Sequence, residues 1–460
     1  MVKRLVYIIL SVSVLALAFS VNKTPIIKVS ANHRFFTANG KPFFWLGDTG
    51  WLLLTKLSRE DAEKYLDIRK RQGFTVIQVM VVHGTKDVNF YGDSALTAKS
   101  IAHPKVTPGN NPDNPEQYDY WDHMEWVIKK AQEKGLYVAL VPVWGSVVKE
   151  AHITPDQGKI YATFLAKRFR SYPNIIWMNG GDIAGSDHKD TWNAIGNTLR
   201  ALDPVHLITY HPRGRTTSSL WFHNESWLNF NSFQSGHRTY AQDTSKNDLR
   251  YGEDNWRYVQ RDYAKKPAKP TIDAEPSYER IPHGLHDTLQ PRWTDADVRR
   301  YAYWSVFAGA CGFTYGNNDV MQFHVPSDKH SAYGSKEYWY NSINDPGAEQ
   351  MKYLEKLMLS RPYFERVPDQ SLIVGDAGQK YERLIATRGK KYAFIYTYTG
   401  RQITINTQKL QGQKIKASWF NPRNGNITAA GTFNQSKSLK FNPPGEPKEG
   451  NDWVLILDAQ

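Results

Sequence analysis

Two textures alternate along the chain. Up to about residue 360, short apolar runs are separated by stretches in which apolar residues recur every three or four positions, and each short run ends in polar residues. "HRFFTANGKPFFWLGDTGW" predicts a hairpin turning at Asn39-Gly40, feeding a strand that ends at Asp48. Ser58 and Asp61 resemble a capping box, and Ala62, Tyr65, Leu66 and Ile68 give a helical apolar face that Gly73 stops. Further strands are predicted over 74–82, 136–143, 174–182, 206–210, 228–233, 270–274 and 312–315. Helices are predicted over 118–134, 155–170, 187–202, 247–264, 295–309 and 346–359. From about Tyr363 the period becomes two, in "LIATRGKKYAFIYTYTG", "QKIKASWFNPRNGNI" and "DWVLILDA", with Gly, Asn and Pro turns between. That texture predicts an antiparallel β domain.

Short apolar strands alternating with helices imply right-handed βαβ units and a parallel sheet. Eight such strands end at Asp48, His83, Trp144, Asp182, His211, Gln234, Glu275 and Asn317. The predicted fold is therefore α/β: a (β/α)8 TIM barrel over 21–360, followed by a C-terminal antiparallel β-sandwich domain over 361–460. A doubly wound open sheet is the alternative, but no G-x-G-x-x-G turn follows an early strand. The polar stretch Thr85–Gln117, with prolines at 104, 108, 112 and 115, is a long loop of the kind that often carries function.

Composition narrows the class. With 40% hydrophobic and 22% charged residues, the chain is a folded protein and not a disordered one. Its 15 Trp, 26 Tyr and 20 Phe mostly fill cores, while some suit the floor of a sugar site. Lys3 and Arg4 precede an apolar run from Leu5 to Phe19, with small residues at Ala18 and Ser20. This is the pattern of a signal peptide over 1–20, so a secreted or periplasmic location is expected. No lipobox Cys follows; the single Cys311 excludes internal disulfides and reads as a buried hydrophobe. A net charge of +13 suits an acidic partner, or is simply a solvated basic surface. The basic residues are dispersed, which counts against nucleic acid.

Catalytic groups of a (β/α)8 barrel stand at the C-terminal ends of its strands. Here those ends bring Asp48, His83, Trp144, Asn179, Asp182, His211, Gln234, Glu275 and Tyr315 to one face. Asp182 follows the fourth strand and Glu275 ends the seventh, across the barrel mouth from each other. A pair of carboxylates flanking one bond is what glycoside hydrolysis requires. Taken singly, Asp182 reads equally as a helix cap and Glu275 as a rim residue in an ion pair. No metal site is expected: His283 and His286 lack a third ligand at a recognised spacing. A serine nucleophile lacks its G-x-S-x-G elbow. No cofactor is expected.

"NGKPFFWLGDTGW", "KGLYVALVPVWG", "NIIWMNGGD" and "TIDAEPSYE" together resemble the apiosidase-like glycoside hydrolases of pectin-degrading bacteria, over about Asn32 to Gln460. The resemblance implies a (β/α)8 catalytic barrel and a C-terminal collagen-binding-like β domain, a label that carries no inference of collagen binding. It implies release of apiose-linked side chains from rhamnogalacturonan II, an acidic plant polysaccharide. It places the catalytic aspartate on Asp182 and the catalytic glutamate on Glu275, and it suggests that Asp48 and Trp51 help shape the site; Tyr278 is a further expected substrate-binding residue. By analogy with retaining barrel glycosidases, Asp182 is expected as acid/base and Glu275 as nucleophile, with inversion as the alternative. Two other functions stay open: a glycosidase of the same fold acting on another furanoside or pyranoside, and a non-catalytic carbohydrate-binding or adhesion protein. Neither a nucleic-acid partner nor a membrane span in the mature chain is expected.

Overall fold

A computed structural model of the chain describes residues 24–244 and 249–460. The signal peptide expected over 1–20 lies outside the described residues. Asn39 and Gly40 take φ of 51° and 74°, as a two-residue hairpin turn demands, and join strands Phe36–Ala38 and Lys41–Phe43. With Ile27–Val29 these form a three-stranded antiparallel sheet under the barrel. Phe36 seals that end, its ring 5.0 Å from Phe230 and 6.2 Å from Trp45.

The eight expected barrel strands are all present. They are β1 (Trp45–Thr49), β2 (Val76–Met80), β3 (Tyr137–Val141), β4 (Ile175–Ile183), β5 (Ile208–Pro212), β6 (Asn231–Gln234), β7 (Thr271–Asp273) and β8 (Gly312–Tyr315). Parallel pairing runs β5-β4-β3-β2-β1-β8-β7-β6, and a short antiparallel strand, Thr216–Thr217, lies on the free edge of β6. The strands are buried on both faces, which is why they read as near-continuous apolar runs.

Between β5 and β6 the described residues show no strand ladder; side chains close the circle instead. The Thr209 hydroxyl donates to the Phe230 carbonyl at 2.7 Å, and the Ser232 hydroxyl to the Tyr210 carbonyl at 2.5 Å. One backbone bond flanks them, from the Asn229 N–H to the Ile208 carbonyl at 2.9 Å.

Seven main helices follow the strands: α1 (Arg59–Arg71), α2 (Tyr120–Glu133), α3 (Pro155–Phe169), α4 (Lys189–Leu202), α5 (Trp256–Ala264), α6 (Asp295–Phe307) and α7 (Pro346–Leu359). Their starts are chemically marked. Ser58 accepts the Asp61 N–H, Asp119 and Asp122 form a capping box, and so do Thr154 with Gln157 and Thr294 with Asp297. Of the helix expected over 247–264, positions 247 and 248 lie outside the described residues, and among the rest the helix begins at Trp256. Before it, Asp254 accepts the Tyr240 hydroxyl, and the Gly252 N–H is taken by Asp243, so this backbone is committed to a loop.

The C-terminal region is a six-stranded antiparallel sheet, in the spatial order Val367–Pro368, Leu384–Arg388, Tyr392–Thr397, Trp453–Ala459, Lys414–Phe420, Ile427–Asn434. A two-stranded sheet, Ile403–Ile405 with Leu439–Phe441, covers one face. Period two sorts the side chains. Ala393, Ile395, Leu455 and Leu457 pack toward the small sheet with Ile403, Ile405 and Phe441. Tyr392, Phe394, Tyr396, Val454 and Ile456 face the other way and join the barrel's own core. Tyr396 stacks on Tyr303 of α6 at 4.8 Å, and the buried Arg299 of α6 grips Asp452 through two 3.0 Å bonds. Among the described residues, no helix is long and apolar enough to cross a membrane.

Candidate active site

The stretch Asn179–Asp182 explains itself in the structure. Pairing between β4 and β5 slips between Gly180 and Ile183, so the strand bulges at its C-terminal end. Gly180 and Gly181 take φ of 89° and 127°. A Cβ on Gly180 would stand 2.6 Å from the His211 carbonyl oxygen, and one on Gly181 2.6 Å from the Trp144 ring. Asp182 follows at φ 49°, a left-handed conformation that Asp tolerates better than most residues. The bulge thus turns one carboxylate out of a buried strand into a cavity of about 300 Å³ at the barrel mouth.

Glu275 enters the same cavity from just beyond β7. It is buried and held by two imidazoles. His237 Nε2 lies 3.2 Å from Oε1 in a hydrogen bond, and His211 Nε2 lies 3.2 Å from Oε2, off the line of a well-formed one. The Tyr278 hydroxyl, which accepts the Trp51 indole N–H at 3.2 Å, sits beside the same carboxylate.

The two carboxylates are driven apart electrostatically. Burial alone pushes Glu275 up, but the contacts and charge of His211 and His237 outweigh it and hold the group down at about 2. Asp182 is pushed up to about 6, first by burial and then by the negative charge of Glu275. Asp182 is exposed to the open cavity, and its carboxyl accepts the Gly214 N–H, 3.3 Å from Oδ1. One group is therefore an anion across the physiological range, while its neighbour keeps a proton to unusually high pH.

Of the residues expected at the site, Trp51, His83, Trp144, Asp182, Gln234, Glu275 and Tyr278 line the cavity. Trp51 and Trp144 meet edge to face at 5.4 Å as an aromatic wall. Gln234 keeps a buried Oε1 without a hydrogen-bond partner. His211 stands behind the wall and reaches Glu275 only.

Asp48, Asn179 and Tyr315 do not reach the cavity, which corrects their expected role as binding groups. Asp48 is fully buried and takes the Arg69 guanidinium at 2.7 Å and the Tyr65 hydroxyl at 2.5 Å. Asn179 donates to the Trp192 carbonyl at 2.8 Å and accepts the Gly180 N–H at 3.1 Å, so its fully buried amide pins the bulge and stands away from the cavity. The Tyr315 hydroxyl donates to Glu279 at 2.5 Å. Nor does any residue of 85–117, the long loop of a kind that often carries function, line the cavity.

His237, Arg238, His286 and Tyr333 line it without having been expected there. They lie in loops outside the strand-end pattern; the only hint of His237 is its place three residues after Gln234. Among the described residues no group of three or more His, Cys, Asp or Glu side chains is placed to hold a metal ion.

The family profile "Apiosidase-like, catalytic domain" matches residues 30–365, and "Putative collagen-binding domain of a collagenase" matches 367–458. A solved structure described as a glycoside hydrolase is 47% identical, with TM-score 0.89 over 95% of this chain and 97% of its own. A family 5 glycoside hydrolase from Bacteroides vulgatus is 44% identical, with TM-score 0.88 over 95% and 94%. A third structure, from the same organism, shares the fold at 14% identity and TM-score 0.65. No curated protein matches the chain.

Proposed function

Since the chain belongs to the apiosidase-like family of glycoside hydrolases, we propose that it cleaves apiosyl linkages in side chains of rhamnogalacturonan II, with Asp182 as acid/base and Glu275 as nucleophile. The observation that carries the roles is the opposite perturbation of the two carboxyls, about 6 against about 2. Such a split assigns acid and base where two carboxyls share a site. Asp182 Oδ1 is engaged by Gly214, so the transferable proton belongs on Oδ2.

The steps balance simply. Asp182 gives its proton to the glycosidic oxygen as the bond to the anomeric carbon breaks. A Glu275 oxygen bonds that carbon. Water then attacks the same carbon, returns its proton to Asp182, and releases Glu275 as a carboxylate. Trp51 and Trp144 offer ring surface to the sugar, and Gln234 Oε1 offers an acceptor to a hydroxyl.

The net charge of +13 suits an acidic polymer. The basic-then-apolar residues 3–19 support action outside the cytoplasm, in the periplasm or beyond. Incubation with defined rhamnogalacturonan II side chains tests the substrate: free apiose is the expected product, and release of a different sugar would reassign it. NMR of the first-formed anomer tests the mechanism. Retained configuration is expected; an inverted product removes Glu275 as nucleophile.

A further inference from the structure

Arg215, which lines the catalytic cavity, pairs with Asp243, which lines a second cavity of about 470 Å³. One side belongs to the barrel and the other to the loop Gly378–Arg383 of the β domain. Among the described residues its charges do not balance. Asp243 is consumed by Arg215 at 2.7 Å and by the Gly252 N–H at 2.9 Å. Asp254 is consumed by the Tyr240 hydroxyl at 2.6 Å and by Arg257 at 3.1 Å.

Arg250, Lys380 and Arg383 remain, and none of the three forms an ion pair with any described residue. Arg250 Nε and Nη1 and Arg383 Nε are buried with no hydrogen-bond partner. The Arg383 guanidinium is fixed 4.0 Å over the Trp256 ring. Burial and the nearby charge of Arg215 lower Arg250 from its ordinary value. Desolvated guanidinium groups without acceptors are costly, and a planar carboxylate is the acceptor that matches their fork. The rings of Tyr240 and Tyr251 stand in the same walls, with Lys380 5.3 Å over the first and Arg257 5.5 Å over the second.

We propose that this seam cavity is a second saccharide site that takes a uronate unit, with Arg250 and Arg383 on its carboxylate and Lys380 at the rim. The site does not depend on which bond the catalytic cavity cleaves, so it stands or falls separately from the apiosidase reading.

Calorimetry on the full chain tests it, with trigalacturonate, neutral maltotriose and inorganic phosphate as probes. Trigalacturonate is expected to bind the wild type and an Arg238→Gln variant alike, since Arg238 lines only the catalytic cavity. Binding is expected to weaken about ten-fold or more in Arg250→Gln/Arg383→Gln. Lys380→Gln, an exposed position, is expected to weaken it less and covers the case in which the double variant fails to fold. No trigalacturonate binding, equal binding of maltotriose, displacement by equimolar phosphate, or loss in Arg238→Gln with retention in the double variant would each overturn the proposal.

Discussion

In the proposed mechanism Asp182 donates only while protonated, and Glu275 attacks only while ionised. The first condition fails as pH rises through about 6, and the second as pH falls through about 2. The kcat/KM profile is therefore expected to be a bell on the acid side of neutrality, with limbs near those values. A profile that climbs from pH 6 to 8 would remove Asp182 as the acid. Glu275→Gln is expected to cost at least 10²–10⁴-fold on any substrate, whereas Asp182→Asn should cost that much only where the leaving group needs a proton. On an aryl glycoside with an acidic phenol the Asp182→Asn loss should shrink, which steady-state assays on the two substrates will read. His237→Ala removes a contact that favours the ionised Glu275, so the acid limb of the profile should move up in pH. Residue roles were only half legible in the sequence. Polar strand ends announce themselves, but their facing does not. Asp48 looks like a site carboxylate until Arg69, 21 residues on, folds over it, and Tyr315 until Glu279 takes its hydroxyl. His237 and Tyr333 arrive from loops, where no period marks them.

Strands and helices were more legible, because burial on both faces leaves an unmistakable apolar run and because Ser58, Asp119, Thr154 and Thr294 mark helix starts. The shortfall at α5 came where tertiary hydrogen bonds to Asp243 and Asp254 hold the backbone in a loop. The segment 359–371 that joins barrel and β domain is tethered: Arg366 is buried with its guanidinium on the carbonyls of Val306 and Ala310, and the Tyr363 hydroxyl reaches the Cys311 carbonyl at 3.1 Å. Limited proteolysis is accordingly expected to spare this segment, and early cleavage between Leu359 and Ser371 would contradict its tethering. The β4 bulge makes a matching demand. Gly180→Ala should destabilise by more than about 1 kcal/mol, from its left-handed backbone and its collision with the His211 carbonyl. Its activity should drop further than its stability, because the same backbone aims Asp182.

At the scale of the molecule, the β domain is not an appendage. Phe394, Tyr396 and Ile456 share one core with Phe307 and Tyr303, and the Arg299–Asp452 pair is buried inside that shared core. Asp452→Ala would leave the buried Arg299 guanidinium with Asp295 as its remaining carboxylate partner and is expected to lower stability. Calorimetry should show barrel and β domain melting together in the wild type; two separated transitions would show that the shared core does not couple them.

The missing ladder between β5 and β6 has a mechanical consequence. In terms of backbone bonds the barrel is a ribbon rolled until its edges meet, then fastened by the hydroxyls of Thr209 and Ser232. Its circumference is stiff everywhere but along that meridian, and the meridian rises between His211 on one lip and Gln234 on the other. A sugar seated against Gln234 and Glu275, which His211 supports, would act as a tie bar across the opening. Deuterium uptake near Thr209 and Ser232 should therefore slow on ligand binding far more than at β2, where the ladder is already continuous.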